Sequence, residues 1–182
     1  MEKRVILLAG RKGAGKTTLA RSVQGAKVLS YAEPFKRFLC DIGVVEQRQA
    51  FGSDKEKNEY SNCFNNGERL TVRKLLQHFG NDIMKPLCGD DVWVRSMEKR
   101  IRETDYINII IDDFRYAGLE DRLPFPYYKV WINYGTPSMD THSSETSVKA
   151  SDCDEIVERG MNKRIEQIFK DDQLWAILSE VH

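Results

Sequence analysis

The chain has 182 residues, 41% hydrophobic and 31% charged, with 28 Lys and Arg against 28 Asp and Glu. That length suits one globular domain of ~100–200 residues with its own core, and zero net charge argues against a surface given over to nucleic acid. No apolar run approaches the ~20 residues that cross a bilayer.

The opening stretch MEKRVILLAG has a charged start and a short apolar run. It leads into a glycine loop rather than a small-residue cleavage site, so it reads as a core strand and not a signal peptide. Within it VILLA (5–9) is continuously apolar, as expected of a parallel strand covered on both faces. Residues 16–24 are expected to be helical, AKVLSYA (26–32) to carry a second strand, and PFKRFLCDIG (34–43) to form a helix opened by Pro34. Residues 45–68 are polar and weakly periodic and read as a mobile, partly helical excursion. LTVRKLLQHFG (70–80) has helical spacing, with Gly80 as its expected stop. DDVWVRSMEKRIRE (90–103) opens with acidic residues, which favour a helix start.

INIII (107–111), YYKVWIN (127–133) and CDEIV (153–157) read as further strands, residues 134–151 as a lid-like loop, and residues from about 161 to 178 as a closing amphipathic helix. Strands alternating with helices predict an α/β fold: a three-layer parallel sheet of about five strands flanked by helices, with right-handed crossovers. One domain over residues 1–182 is expected. Cys40, Cys63, Cys88 and Cys153 are scattered and form no C-x-x-C, which favours reduced thiols in a cytoplasmic compartment over metal or redox roles.

Gly10-Arg11-Lys12-Gly13-Ala14-Gly15-Lys16-Thr17 fits the phosphate-loop pattern G-x-x-x-x-G-K-[ST], with a strand before it and a helix after it. The glycines let the backbone curl so that its N–H groups converge on phosphate oxygens. The pattern assigns nucleoside triphosphate binding to Gly13, Ala14, Gly15, Lys16, Thr17 and Thr18, with Lys16 reaching the β- and γ-phosphates and the Thr17 hydroxyl holding Mg²⁺. Arg11 is either solvated charge or a planar fork for a second phosphate on the acceptor side.

INIIIDDFR places Asp112, Asp113 and Arg115 just past the carboxyl end of a buried strand, the edge where open α/β sheets bind ligands. A carboxylate there suits a Mg²⁺-bound water, and Arg115 suits the charge on a transferring phosphoryl group. The spacing leaves open which aspartate faces the metal. No D-x-x-G follows Asp113, and Asn162-Lys163 is followed by Arg164-Ile165, so the guanine-reading pattern of a GTPase switch is missing. Loops that close over a small acceptor suit a kinase, because water would otherwise take the phosphoryl group.

Taken together, GRKGAGKTT, YAEPFKRFL, VRKLLQHFGND, DDVWV, IIIDDFRY and DTHSSE resemble, in order and spacing, the deoxynucleoside monophosphate kinases of bacteriophages. These are a branch of the adenylate-kinase-like P-loop kinases. The resemblance implies ATP- and Mg²⁺-dependent phosphorylation of deoxynucleoside 5′-monophosphates in a cytoplasm, the host's for a phage-encoded chain. It aligns Asp113 rather than Asp112 with the family's aspartate, and makes Lys16, Asp113 and Arg115 the catalytic set and Thr17 with Asp113 the metal set. It puts Lys36, Arg73 and Gln77 on the acceptor side and Trp93 near the base. Glu145 is a candidate to accept a hydrogen bond from substrate or an arginine, and His142 to order the lid. The segment after Gly80-Asn81-Asp82 and the run Arg115-Tyr116-Ala117-Gly118-Leu119-Glu120 depart from the family's pattern, which leaves the preferred base undecided. No membrane and no stable nucleic-acid partner are expected, and a homodimer stays open. Two alternatives remain: a P-loop kinase acting on an alcohol, such as a modified base in DNA or a small metabolite, and a non-catalytic nucleotide-binding protein.

Overall fold

A computed structural model describes residues 2–134 and 147–181. In chain order the elements are β1 (Arg4–Gly10), α1 (Lys16–Ser22), β2 (Ala26–Leu29), α2 (Glu33–Asp41), α3 (Gln47–Phe51), α4 (Asp54–Lys57), β3 (Tyr60–Asn65), β4 (Glu68–Thr71) and α5 (Val72–Gln77). A π-helical segment (His78–Ile83) leads into α6 (Met84–Cys88) and α7 (Val92–Glu103). Then come β5 (Asn108–Ile111), a 3₁₀ turn (Glu120–Arg122), β6 (Tyr127–Asn133), a second 3₁₀ turn (Ala150–Asp152), β7 (Glu155–Glu158), α8 (Asn162–Lys170) and α9 (Asp172–Val181). Two compact units emerge, Met1–Tyr31 with Met97–His182, and Ala32–Ser96.

The first unit carries a five-stranded sheet in the order β2-β5-β1-β6-β7, and its pairings are parallel. Val5, Ile6, Leu7, Leu8 and Ala9 of β1 have no exposed surface, as a central strand covered on both faces requires. Alternate residues of the sheet, Ile6, Leu8, Ile110, Val130, Ile132 and Val157, pack with Leu19 and Ala20 of α1, Ile165 and Phe169 of α8, and Trp175 of α9. The expected single closing helix is instead two, because Asp171 caps the second: its Oδ1 accepts the Leu174 N–H at 3.0 Å. No helix among the described residues is long and apolar enough to cross a membrane.

The second unit packs around Leu39, Val45, Ala50, Leu70, Val72, Leu75 and Leu76. The polar stretch 45–68, read as partly helical, carries α3 and α4, and it also supplies the first strand of an antiparallel hairpin, β3 with β4, that was not expected. Its turn is Asn66-Gly67, with φ of 49° and 82°, the two left-handed residues that a tight hairpin needs. Thr71, expected inside a helix, caps α5 instead, with Oγ1 accepting the Lys74 N–H at 3.3 Å. Nor does Gly80 stop that helix. The helical path continues through the π-helical segment into α6 and stops at Gly89, φ 94°. Gly80 is buried beside Phe35, where a Cβ would lie 3.6 Å from the ring in ordinary van der Waals contact, and its carbonyl accepts the Trp93 indole N–H at 2.9 Å.

Candidate active site

Sheet order fixes where a ligand belongs. From β1 the chain leaves for β2 on one side, and from β5 it leaves for β6 on the other, although β1 and β5 are neighbours. Adjacent strands whose connections part in this way open a crevice at their carboxyl ends. The loops that flank it are 10–15 and 112–115.

In the first loop, Gly10, Gly13 and Gly15 have φ of 139°, 78° and 86°. Gly10 is also tight: a Cβ would stand 2.8 Å from the Ile132 carbonyl oxygen of the neighbouring strand. The first main-chain bond of α1 runs from the Leu19 N–H to the Gly15 carbonyl at 2.8 Å. The N–H groups of Lys16, Thr17 and Thr18 thus precede the helical ladder. Lys16 is only 8% exposed. Its ammonium donates to the carbonyls of Gly10, at 2.6 Å, and Arg11, at 2.9 Å. Burial pushes its pKa down to about 8, Arg115 adds to the fall, and Asp112 and Asp113 oppose it. Thr17, Thr18 and Arg11 are exposed.

The second loop is fastened to the end of β2. Asp112, 5% exposed, accepts a short hydrogen bond from the Ser30 hydroxyl. Asp113, half-buried, accepts the Tyr31 backbone N–H on Oδ1 at 2.7 Å. Arg100 of α7 adds a third tie, donating to the Ser30 carbonyl at 2.7 Å. Both aspartates follow β5 rather than continuing it, so strand alternation does not set their directions. Asp113 is the more accessible carboxylate and Asp112 the more enclosed one.

Lys36, Arg73, Gln77 and Trp93 lie in the second unit. The Lys36 ammonium sits over the Phe51 ring, 5.5 Å from its centroid. Arg73 forms an ion pair with Asp54, and its Nε donates to Asn58 at 3.2 Å. Gln77 closes α5 and is half-buried. Trp93 packs on Phe35, ring centroids 5.0 Å apart. Glu145 and His142 lie outside the described residues.

A family model described as deoxynucleotide monophosphate kinase matches residues 43–171, well over half of the chain. The chain belongs to the deoxynucleotide monophosphate kinase family. The match begins beyond the phosphate loop, so the two observations rest on different residues. The crystal structure of TT1252 from Thermus thermophilus is similar at 17% identity and a TM-score of 0.47, covering 100% of each chain. No curated protein matches.

Sequence reading missed three residues of this kinase. Ser30 and Tyr31 hold the two aspartates, a pairing across 82 positions that no local pattern reveals. Arg159 follows β7 and lies against the phosphate loop, its Nε 3.4 Å from where a Gly15 Cβ would stand. Its guanidinium covers the Tyr134 ring at 4.3 Å from the centroid. A cation just past a strand at the ligand edge was the signal for it.

Proposed function

We propose that the kinase transfers the γ-phosphoryl group of ATP, with Mg²⁺, to a deoxynucleoside 5′-monophosphate and releases the two diphosphates. One observation carries the reading: a buried lysine, Lys16, held on the carbonyls of its own glycine loop beside Arg115, Asp112 and Asp113.

The residues fit a triphosphate. Main-chain N–H groups ahead of α1 and an ammonium short of charge compensation are both groups that gain from an anion. They also fit Mg²⁺, which takes few protein oxygens and completes its shell with water and phosphate. The Thr17 hydroxyl and the accessible carboxylate of Asp113 would hold it, and it would supply charge neutralisation between the phosphates. Among the described residues no group of three or more His, Cys, Asp or Glu forms a dedicated metal cage.

The acceptor is itself a phosphate monoester with a second pKa of about 6, so an anionic oxygen is ready to attack at neutral pH without a general base. The protein must hold two repelling anions in line and neutralise charge as the phosphoryl group passes. Lys16, Arg115 and Arg11 would serve the phosphates, and Arg159 would add a cation on the donor side. Lys36, Arg73 and Gln77 would serve the acceptor, with Glu145 as a further contact. Trp93 offers a base its ring rather than its N–H, which Gly80 already holds.

Coupled ADP release over all common deoxy- and ribonucleoside monophosphates tests the reading. Stimulation by at least one deoxynucleotide is expected, and none by any of them overturns it. Proton linkage gives a second check. With a free-enzyme pKa of about 8, Lys16 is half charged at pH 8 and becomes fully charged against a triphosphate. ATP binding at that pH should therefore take up ~0.5 proton, falling to ~0.1 at pH 7. Calorimetry in buffers of different ionisation enthalpy measures this, and no uptake at pH 8 would place Lys16 away from the phosphates.

A further inference from the structure

Arg115 lies between β5 and the 3₁₀ turn at Glu120–Arg122, in neither a helix nor a strand. A cation on such a stretch serves a phosphoryl transfer only if its backbone is held, because a displacement of about 1 Å can cost on the order of 10² in rate. The residues before it are held. Asp112 and Asp113 are fastened to Ser30 and Tyr31, and Phe114 is buried. The residues after it are held as well. Ala117 donates its backbone N–H to the Ser147 hydroxyl at 3.1 Å, across 30 positions of the chain. Ser147 is half-buried and its neighbour Val148 is buried, which fixes the hydroxyl in place. Further on, buried Glu120 accepts from the Lys129 ammonium at 3.3 Å. Arg115 and Tyr116 therefore span the gap between the buried Phe114 ring and the Ala117–Ser147 bond.

The Ala117–Ser147 bond is solvent-exposed. Water can satisfy both of its groups, so its contribution to stability is small. Water cannot tie the two segments to each other, and that tie limits where Arg115 can go. We propose that Ser147 is a positioning residue for Arg115, fastening the segment that follows it so that the guanidinium is kept near Lys16 and the phosphate loop. The proposal rests on the role given to Arg115 above and deepens it. The charge of Arg115 is felt at Lys16, where it helps to lower the ammonium's pKa, so the guanidinium stands close to the phosphate loop while Ser147 holds the segment. Ser147 itself touches no phosphate in this account and acts only through Arg115.

The experiment measures kcat and KM with ATP and each common deoxynucleoside 5′-monophosphate in wild type, Ser147→Ala, Ser147→Thr, Ala117→Pro, Arg115→Met and the double variant Ser147→Ala with Arg115→Met. Ser147→Ala should lower kcat about three- to tenfold and leave KM for ATP within about twofold. Its melting temperature should stay close to that of wild type. Ser147→Thr keeps the hydroxyl and should restore most of kcat. Ala117→Pro deletes the same bond from the donor side. Gly118 follows with φ 83°, as in a type II turn, which favours proline at the preceding position, so this variant should fold and show the same loss. Arg115→Met should lose far more, and adding Ser147→Ala to it should cost nothing further, because the two residues act as a unit. An unchanged kcat in Ser147→Ala overturns the proposal, as it does in Ala117→Pro should Ser147→Ala not fold. So does Ser147→Thr as slow as Ser147→Ala, a loss confined to KM, or a double variant slower than Arg115→Met by the full Ser147→Ala factor. Wild-type turnover in Arg115→Met overturns the role of Arg115 and this proposal with it, and leaves the deoxynucleotide reading standing. No turnover with any monophosphate in wild type overturns that reading as well.

Discussion

Replacing Lys16 by Met is expected to lower kcat by roughly 10²–10³ or more while leaving the fold as stable as before or more so. The loss follows from position: removing one preorganised charge from a phosphoryl-transfer site forfeits stabilisation that water cannot replace. The gain follows from the cost of keeping that charge buried. The lysine's pKa falls from 10.5 in the open chain to about 8 in the fold. Between those values the unfolded chain binds more protons than the native one, so native stability rises with pH across the window. Below about pH 8 the full penalty is in force, on the order of 3 kcal/mol. Urea denaturation at pH 7 and pH 10 checks the sign, because wild type should gain relative to Lys16→Met on going up. A variant that kept its turnover, or that unfolded more easily at pH 7, would contradict the role given to this residue.

Gly10→Ala is expected to destabilise the protein by roughly 3 kcal/mol or more, through a fixed contact added to backbone strain. Gly10 pairs with Ile132 in the β1–β6 register. The new Cβ would meet the Ile132 carbonyl oxygen at 2.8 Å and its backbone nitrogen at 3.3 Å. Neither atom can withdraw without breaking the parallel ladder. Gly13 provides the comparison: its φ is also positive, 78°, but no atom lies within 4 Å of its missing Cβ. Gly13→Ala should thus cost only the left-handed conformation, about 1–2 kcal/mol. Denaturant midpoints for the pair separate crowding from conformation, and equal losses would show that the contact with β6 does not matter.

The sheet and the phosphate loop were legible because their signals are local. VILLA is a buried parallel strand written in consecutive residues, and YYKVWIN matches β6 residue for residue. What escaped depends on partners far along the chain. Gly80 looks like a helix stop until Phe35 and Trp93 are seen packed against it. Asp112 and Asp113 look like alternatives until Ser30 and Tyr31 divide them by burial and partner. The hairpin is the opposite case: Asn66-Gly67 is a strong local turn signal, masked by the polarity of the strands around it.

The two aspartates also act as buttons. They hold the loose end of β2, one of the two edge strands of the sheet and only four residues long. A substitution made at either carboxylate to probe chemistry will unbutton that strand as well, and a drop in rate then has two origins. Ser30→Ala opens one fastening while sparing both carboxylates, which makes it the control by which the tailoring can be told from the chemistry.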